Sequence, residues 1–253
     1  MMRSIRALTL LFLLGCSAAF GQGSVTELVQ KGDELWLERS TSLEQVGRAI
    51  GLWEAAAHSD PHNVDAAYRA SMGYYYLGRF TDEPTQKMDL FSKGKDWGLE
   101  AVRRDPRSAQ AHYWYGVNMG SYGQTRGKLK TLFLVGPLKE AFQEVVRLDP
   151  ICYYGGGYRA LGKLYFELPG FAGGDKKKAE EYLRMSLKVE PCYTLTLLYL
   201  AELLADSHRD SEARDVLERL MNCRPPPGFE REYRQDQAEG KRLLERLARD
   251  GPP

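Results

Sequence analysis

The stretch DPICYYGGGYRALGKLYFELPGFAGGDKKKAEEYLRMSLKVEP, residues 149–191, decides the fold. Within it Tyr158, Leu161 and Tyr165 stand at the first, fourth and eighth positions of one run, with Gly162 beside the second. A small–large–small ladder, Ala179, Leu183 and Ser186, follows on a second run, and Glu190-Pro191 closes it. Both spacings are helical. The small residues let two antiparallel helices approach, and the large ones fill the gaps they leave. Such a helix hairpin buries its apolar face only by stacking on a neighbour.

The register recurs along the chain in units that follow the 34-residue tetratricopeptide repeat. Val25 to Glu38 and Leu43 to Ala57 form a first pair, with Ala49, Trp53 and Ala56 on the ladder and Thr41-Ser42 as an N-cap. Ser71, Tyr74, Gly94, Ala101 and Pro106 mark the second unit, and Gly116 the third. Cys192 to Pro225, with Ala201, Ala213 and Leu217, is the fifth. A last helix, Glu230 to Arg249, carries Arg231, Arg234, Lys241, Arg242, Arg246 and Arg249 on its exposed positions, as a polar cap. The sequence therefore predicts an all-α superhelix of about five helix pairs plus a capping helix, a single domain over residues 23–253. Three turns are stretched: Ser71 to Gly94 by 11 residues, Gly116 to Leu138 by ten, and Gly162 to Ala179 by five. Each stretch falls between the two helices of its unit, so all three are expected on one edge of the superhelix.

Composition is that of a soluble globular protein, 43% hydrophobic and 27% charged. The net charge is +1, with no basic field to hold nucleic acid. Residues 1–22 read as a signal segment: Arg3 and Arg6 precede an apolar run, Ala7 to Leu14, too short to span a bilayer. Leu13-Leu14-Gly15-Cys16 reads as a lipobox with Cys16 the lipidated residue, so that the membrane is met only through a lipid anchor. Cleavage after Ala19-Phe20-Gly21 is the other reading and releases a soluble chain. Both place the protein in the periplasm or cell envelope.

Gly157-Tyr158-Arg159-Ala160-Leu161-Gly162-Lys163 imitates a phosphate-binding loop, but Leu164 stands where Ser or Thr is needed and no strand precedes it. His58, His62, His112 and His208 show no metal spacing. No nucleophile is placed beside a His and an acid, so the chain reads as non-enzymatic, without cofactor or metal. Cys192 begins one helix and Cys223 ends its hairpin partner, so a disulfide between them stands open beside buried free thiols. Aromatics crowd the first helices of the units, in Tyr74-Tyr75-Tyr76, Tyr113-Trp114-Tyr115 and Tyr153-Tyr154. Three in a row cannot share one face. Tyr74, Tyr76, Tyr113, Tyr115, Tyr158 and Tyr165 are accordingly expected to line a groove for a ligand or partner.

Ala111-His112-Tyr113-Trp114-Tyr115-Gly116, Gly127-Lys128-Leu129, Leu138-Lys139-Glu140-Ala141, Leu161-Gly162-Lys163-Leu164-Tyr165 and the turn Leu168-Pro169-Gly170 with Gly173-Gly174-Asp175 resemble the TatT component of TRAP (tripartite ATP-independent periplasmic) transporters. The resemblance implies a periplasmic lipoprotein that oligomerises as a trimer, with a pore or cleft through each protomer. It also implies a P-component protein as partner and a small organic ligand. The regulators of microtubule dynamics share the repeat style, but the signal segment argues against that role. The alternative to transport is a general envelope scaffold that binds a protein or peptide segment. Leu168 and Phe171 are expected to tuck against the apolar run Leu132 to Val135. Leu132, Phe133, Leu168, Pro169 and Phe171 would then form a lip where a partner or second protomer docks, on a turn whose Gly173 and Gly174 take positive φ.

Overall fold

The computed structural model describes residues 24–127 and 132–250. Among them the elements are α-helical, apart from two short 3-10 turns, Leu132–Leu134 and Gly170–Ala172. The helices pair as α1 (Val25–Trp36) with α2 (Leu43–Ser59), α3 (Val64–Arg79) with α4 (Pro84–Arg104), and α5 (Ala109–Thr125) with α6 (Val135–Leu148). Then come α7 (Cys152–Glu167) with α8 (Lys176–Val189), α9 (Thr194–Asp206) with α10 (Asp210–Asn222), and a final α11 (Glu230–Asp250).

One device ends the second helix of four successive pairs. Asp60, Asp105, Asp149 and Glu190 each precede a proline, which bars them from the helical region. All four take extended backbone, with ψ between 94° and 99°. Each then accepts, through its carboxylate, the backbone N–H two residues on, at 2.9, 2.9, 3.1 and 3.1 Å. The acid-proline pair thus stops one helix and sets the turn into the next unit. Ser42, Asn63, Ser108 and Asp175 cap the helices that follow them.

Helix contact follows the small–large pattern. Trp53, Ala49 and Ala56 are fully buried, as are Ala179, Leu183 and Ser186. At Gly98 one helix backbone comes close against another: a Cβ there would stand 2.6 Å from the Tyr115 Cα of the neighbouring helix. Buried Ser71 donates to the Gly94 carbonyl at 2.7 Å, while Asn118 Nδ2 donates to the Ser71 carbonyl at 3.0 Å, tying α3, α4 and α5 together.

Two expectations change here. The first stretched turn is not a loop: Glu83 caps a helix that starts at Pro84, and the added residues lengthen α4 to 21 residues. Proline at the first helical position favours that extension, because its missing N–H has no partner there anyway. The capping helix also does more than shield the last pair. Arg234, Lys241, Arg242, Arg246 and Arg249 are exposed, but Arg231 is half-buried, over the Phe80 ring and donating to the Thr41 carbonyl at 3.3 Å.

Candidate functional site

The first half of α11 crosses to the other end of the array. Its Glu232 carboxylate lies 3.6 Å from Arg39 Nε and accepts from the Tyr76 hydroxyl at 3.3 Å. Asp236 accepts from Arg79 at 2.5 Å and from Thr194 Oγ1 at 2.7 Å, and Gln235 accepts from Arg79 Nε at 3.0 Å. Arg39 is sandwiched between the rings of Trp36 and Phe229, at 4.9 and 4.6 Å. Burial pushes the carboxyls of both Glu232 and Asp236 up from their ordinary range. Arginine is suited to such places, since its planar fork pairs with carboxylates and stacks on rings.

Closure leaves a chamber of about 660 Å³ inside the superhelix. Its walls are the rings of Trp36, Tyr75, Tyr76, Tyr113, Trp114, Tyr153, Tyr154, Tyr193 and Phe229, with Arg39, Arg79, Arg159 and Glu232 among them. Two smaller cavities, of about 140 and 400 Å³, share the wall formed by Tyr75 and Leu195. Rings meet rings around the main chamber: Tyr113 stacks on Tyr153 at 4.9 Å and Tyr154 on Tyr193 at 5.6 Å. Burial raises the hydroxyl pKa of Tyr153 and Tyr193, so both stay neutral phenols.

A strained turn builds one wall. Tyr153, Tyr154 and Gly155 take φ of 46°, 59° and 71° in succession at the start of α7. Glycine suits that conformation; for each tyrosine it costs about 1–2 kcal/mol. Strain held at a cavity wall is a mark of a functional site. The turn sends the carbonyls of Tyr153 and Tyr154 toward Arg159, at 3.4–3.5 Å.

Of the six expected groove residues, Tyr76 and Tyr113 line the chamber and four do not. Tyr74 faces α2 and α4, donating to Glu54 at 2.7 Å, an acceptor it shares with Trp97. Tyr115 is half-buried at the α4 contact beside Gly98. Tyr158 and Tyr165 stack on Tyr182 of α8, at 6.4 and 5.7 Å. Tyr75, Tyr153, Tyr154 and Tyr193 take the inward places instead. Neighbours in a tyrosine run point about 100° apart, so the run itself does not say which one faces inward. The three arginines leave no mark in the sequence, because each is an ordinary charged residue until its surroundings are known.

At the edge, Phe133 and Phe171 are each 87% exposed, so the expected tuck of Phe171 against Leu132 to Val135 does not form. Leu132 and Leu168 are half-buried and Pro169 is exposed. Gly173 takes φ 91°, whereas Gly174 does not; a Cβ on Gly174 would instead collide with the Leu168 carbonyl. Lys128 to Thr131 and Cys16 lie outside the described residues. Cys192 and Cys223 form a disulfide, with Cα atoms 5.5 Å apart, and Cys152 is a buried free thiol.

Residues 28–168 match the family model for regulator of microtubule dynamics protein 1-3. The chain belongs to that family. Regulator of microtubule dynamics protein 1 from Pongo abelii is 23% identical over 246 residues, covering 88% of this chain and 75% of the relative. A thermophilic TPR protein of Thermus thermophilus superposes with a TM-score of 0.60 at 18% identity, over 89% of this chain and 98% of its own. Pseudomonas aeruginosa pilF gives 0.53 at 18%, over 90% and 93%. Both establish the tetratricopeptide-like fold. The family match overturns the resemblance to the TatT component, and with it the P-component partner and trimer that the resemblance implied. Most of the segments that carried it lie inside residues 28–168. Helix-pair segments such as Leu161-Gly162-Lys163-Leu164-Tyr165 follow from close helix packing and so mark the fold rather than a family.

Proposed function

We propose that the protein is a non-enzymatic helical-repeat scaffold that grips a protein partner along its outer edge. The carrying observation is the pair Phe133 and Phe171, each 87% exposed on turns between paired helices. An exposed ring of this kind is suited to filling a pocket on a partner, where aromatic anchors carry much of the binding energy. Part of the concave wall, where an open superhelix would hold a peptide, is taken up by α11 through Glu232 and Asp236, which favours the outer edge for a protein segment. The free thiol fits a non-catalytic reading: burial holds Cys152 up at about 12, far from the thiolate a nucleophile needs.

A photo-crosslinking phenylalanine analogue at position 133 or 171 should give discrete adducts in cells, and changing the other Phe to Ser should diminish them. An adduct with a second copy of this chain would make that copy the partner. Equal adducts from exposed Arg103 on α4 would sink the reading.

We further propose that the protein works outside the reducing cytoplasm, anchored through Cys16. The Cys192–Cys223 disulfide supports this compartment, since such bonds persist where thiols are not kept reduced. Cys16→Ser should move the protein from the membrane to the soluble fraction. A wild-type protein already soluble, with Gln22 as its first residue, would refute the anchor.

A further inference from the structure

Arg159 lies on the inner face of α7 and is only 3% exposed. Its guanidinium donates to the Tyr113 hydroxyl at 2.7 Å and to the carbonyls delivered by the strained turn. The Tyr193 ring covers it at 4.1 Å. Every one of these partners is neutral. Among the described residues no carboxylate forms an ion pair with Arg159, and Asp236, which feels its charge, is committed to Arg79 and Thr194. A buried charge without a counter-charge is costly, and the fold has gone to the further cost of left-handed tyrosines to aim it.

The chamber as a whole has the same bias. Arg39, Arg79 and Arg159 face it against Glu232 and the neighbouring Asp236, so positive charge is in excess. Its volume, about 660 Å³, falls in the range of small-molecule sites, and its walls offer stacked ring faces rather than a smooth aliphatic lining. Ile151 and Tyr154, 66% and 38% exposed, stand at its rim and give it a route to solvent. Arginine in an aromatic surround recognises a carboxylate or sulfonate through its fork while rings hold the rest of the guest.

We propose that the chamber is a binding site for an aromatic organic anion, whose charged group pairs with Arg159 while its rings stack among Tyr113, Tyr153 and Tyr193. The site is separate from the Phe133 and Phe171 edge, so either reading stands if the other fails.

Two fluorescent probes of one skeleton test this: 1-anilinonaphthalene-8-sulfonate, an anion, and N-phenyl-1-naphthylamine, its neutral counterpart. The wild-type protein should bind the anion at one site, about tenfold or more tighter than the neutral probe. Arg159→Met, checked by circular dichroism for wild-type helicity, should lose about that factor for the anion and leave the neutral probe unchanged. Equal affinities of the two probes for wild type would overturn the proposal, as would undiminished anion binding by a folded Arg159→Met. Should that variant not fold, the wild-type comparison alone decides.

Discussion

The repeat stack and the α11 seam hold the same molecule together by opposite means. In the stack, helices meet through Ala49, Ala56, Ala101, Ala179 and Gly98, with Trp53 and Leu183 filling between them, and each pair contacts chiefly its neighbours. In the seam, Arg39 and Arg79 from the first two pairs meet Glu232 and Asp236 from the far end. The stack draws its stability from area removed from water and tolerates like-for-like exchange. The seam must satisfy each buried charge singly, and so it specifies one closure rather than many.

The largest test of this contrast is Asp236→Ala. It strands Arg79 in the interior and frees Thr194, and should cost about 3–5 kcal/mol in urea unfolding. Arg79→Met together with Asp236→Leu should recover much of that, because an apolar pair of similar volume replaces a buried ion pair at little loss. A cost below about 1 kcal/mol for Asp236→Ala would reduce the seam to a surface contact.

Gly98→Ala probes the stack and should cost less, about 2 kcal/mol, through overpacking against the Tyr115 backbone. Its effect on unfolding should add to that of Asp236→Ala, since stack and seam share no partner there. Strong non-additivity would mean that the two regions are one cooperative joint.

The smallest difference is in pH dependence. Burial raises the Glu232 carboxyl, so the folded protein takes up its proton before the unfolded chain does. Its contribution is full below the ordinary carboxyl pKa and fades as pH rises through the raised folded value. Glu180 runs the other way: hydrogen bonds from Arg209, then Arg184, lower it. Its contribution is present above the ordinary value and lost as pH falls through the lowered one. Thermal melts from acid to neutral pH should therefore show Glu232→Gln gaining on wild type as pH rises. Glu180→Gln should lose in the same direction, by under about 1 kcal/mol, since its arginine partners lie partly in solvent. Parallel curves for both variants would erase the contrast.

What is legible in the sequence divides along the same line. Acid-proline pairs, the Ala179–Leu183–Ser186 ladder and Gly162 are local and periodic, so the hairpins and their order follow from them. Glu232 and Asp236 sit on a helix dense in other charges, Arg234, Lys241, Arg242, Arg246 and Arg249 among them exposed, and nothing near them names Arg39 or Arg79 as partners. Pairing across 150 or more residues leaves no period to read. The chamber is half visible: Tyr76 and Tyr113 stand out in their aromatic runs, but Tyr153 and Tyr154 face inward only because the chain turns left-handed at that point. Gly155-Gly156-Gly157 is the available signal of unusual backbone, and its last glycine opens the imitation phosphate loop, which hides it.

The α11 seam also puts events in order of time. Tyr76 and Arg79 find their partners 156 and 157 positions later, whereas the hairpins close within a few dozen residues. Local contacts form fast and remote ones wait. On a ribosome adding about 5–20 residues each second, roughly 10–30 s separate Arg79 from Asp236. Until then Arg39 and Arg79 lack the carboxylates that they pair with in the folded protein. Wherever the chain folds, the chamber gains its Glu232 wall only when this late helix docks, and from then on entry runs past the rim of Ile151 and Tyr154.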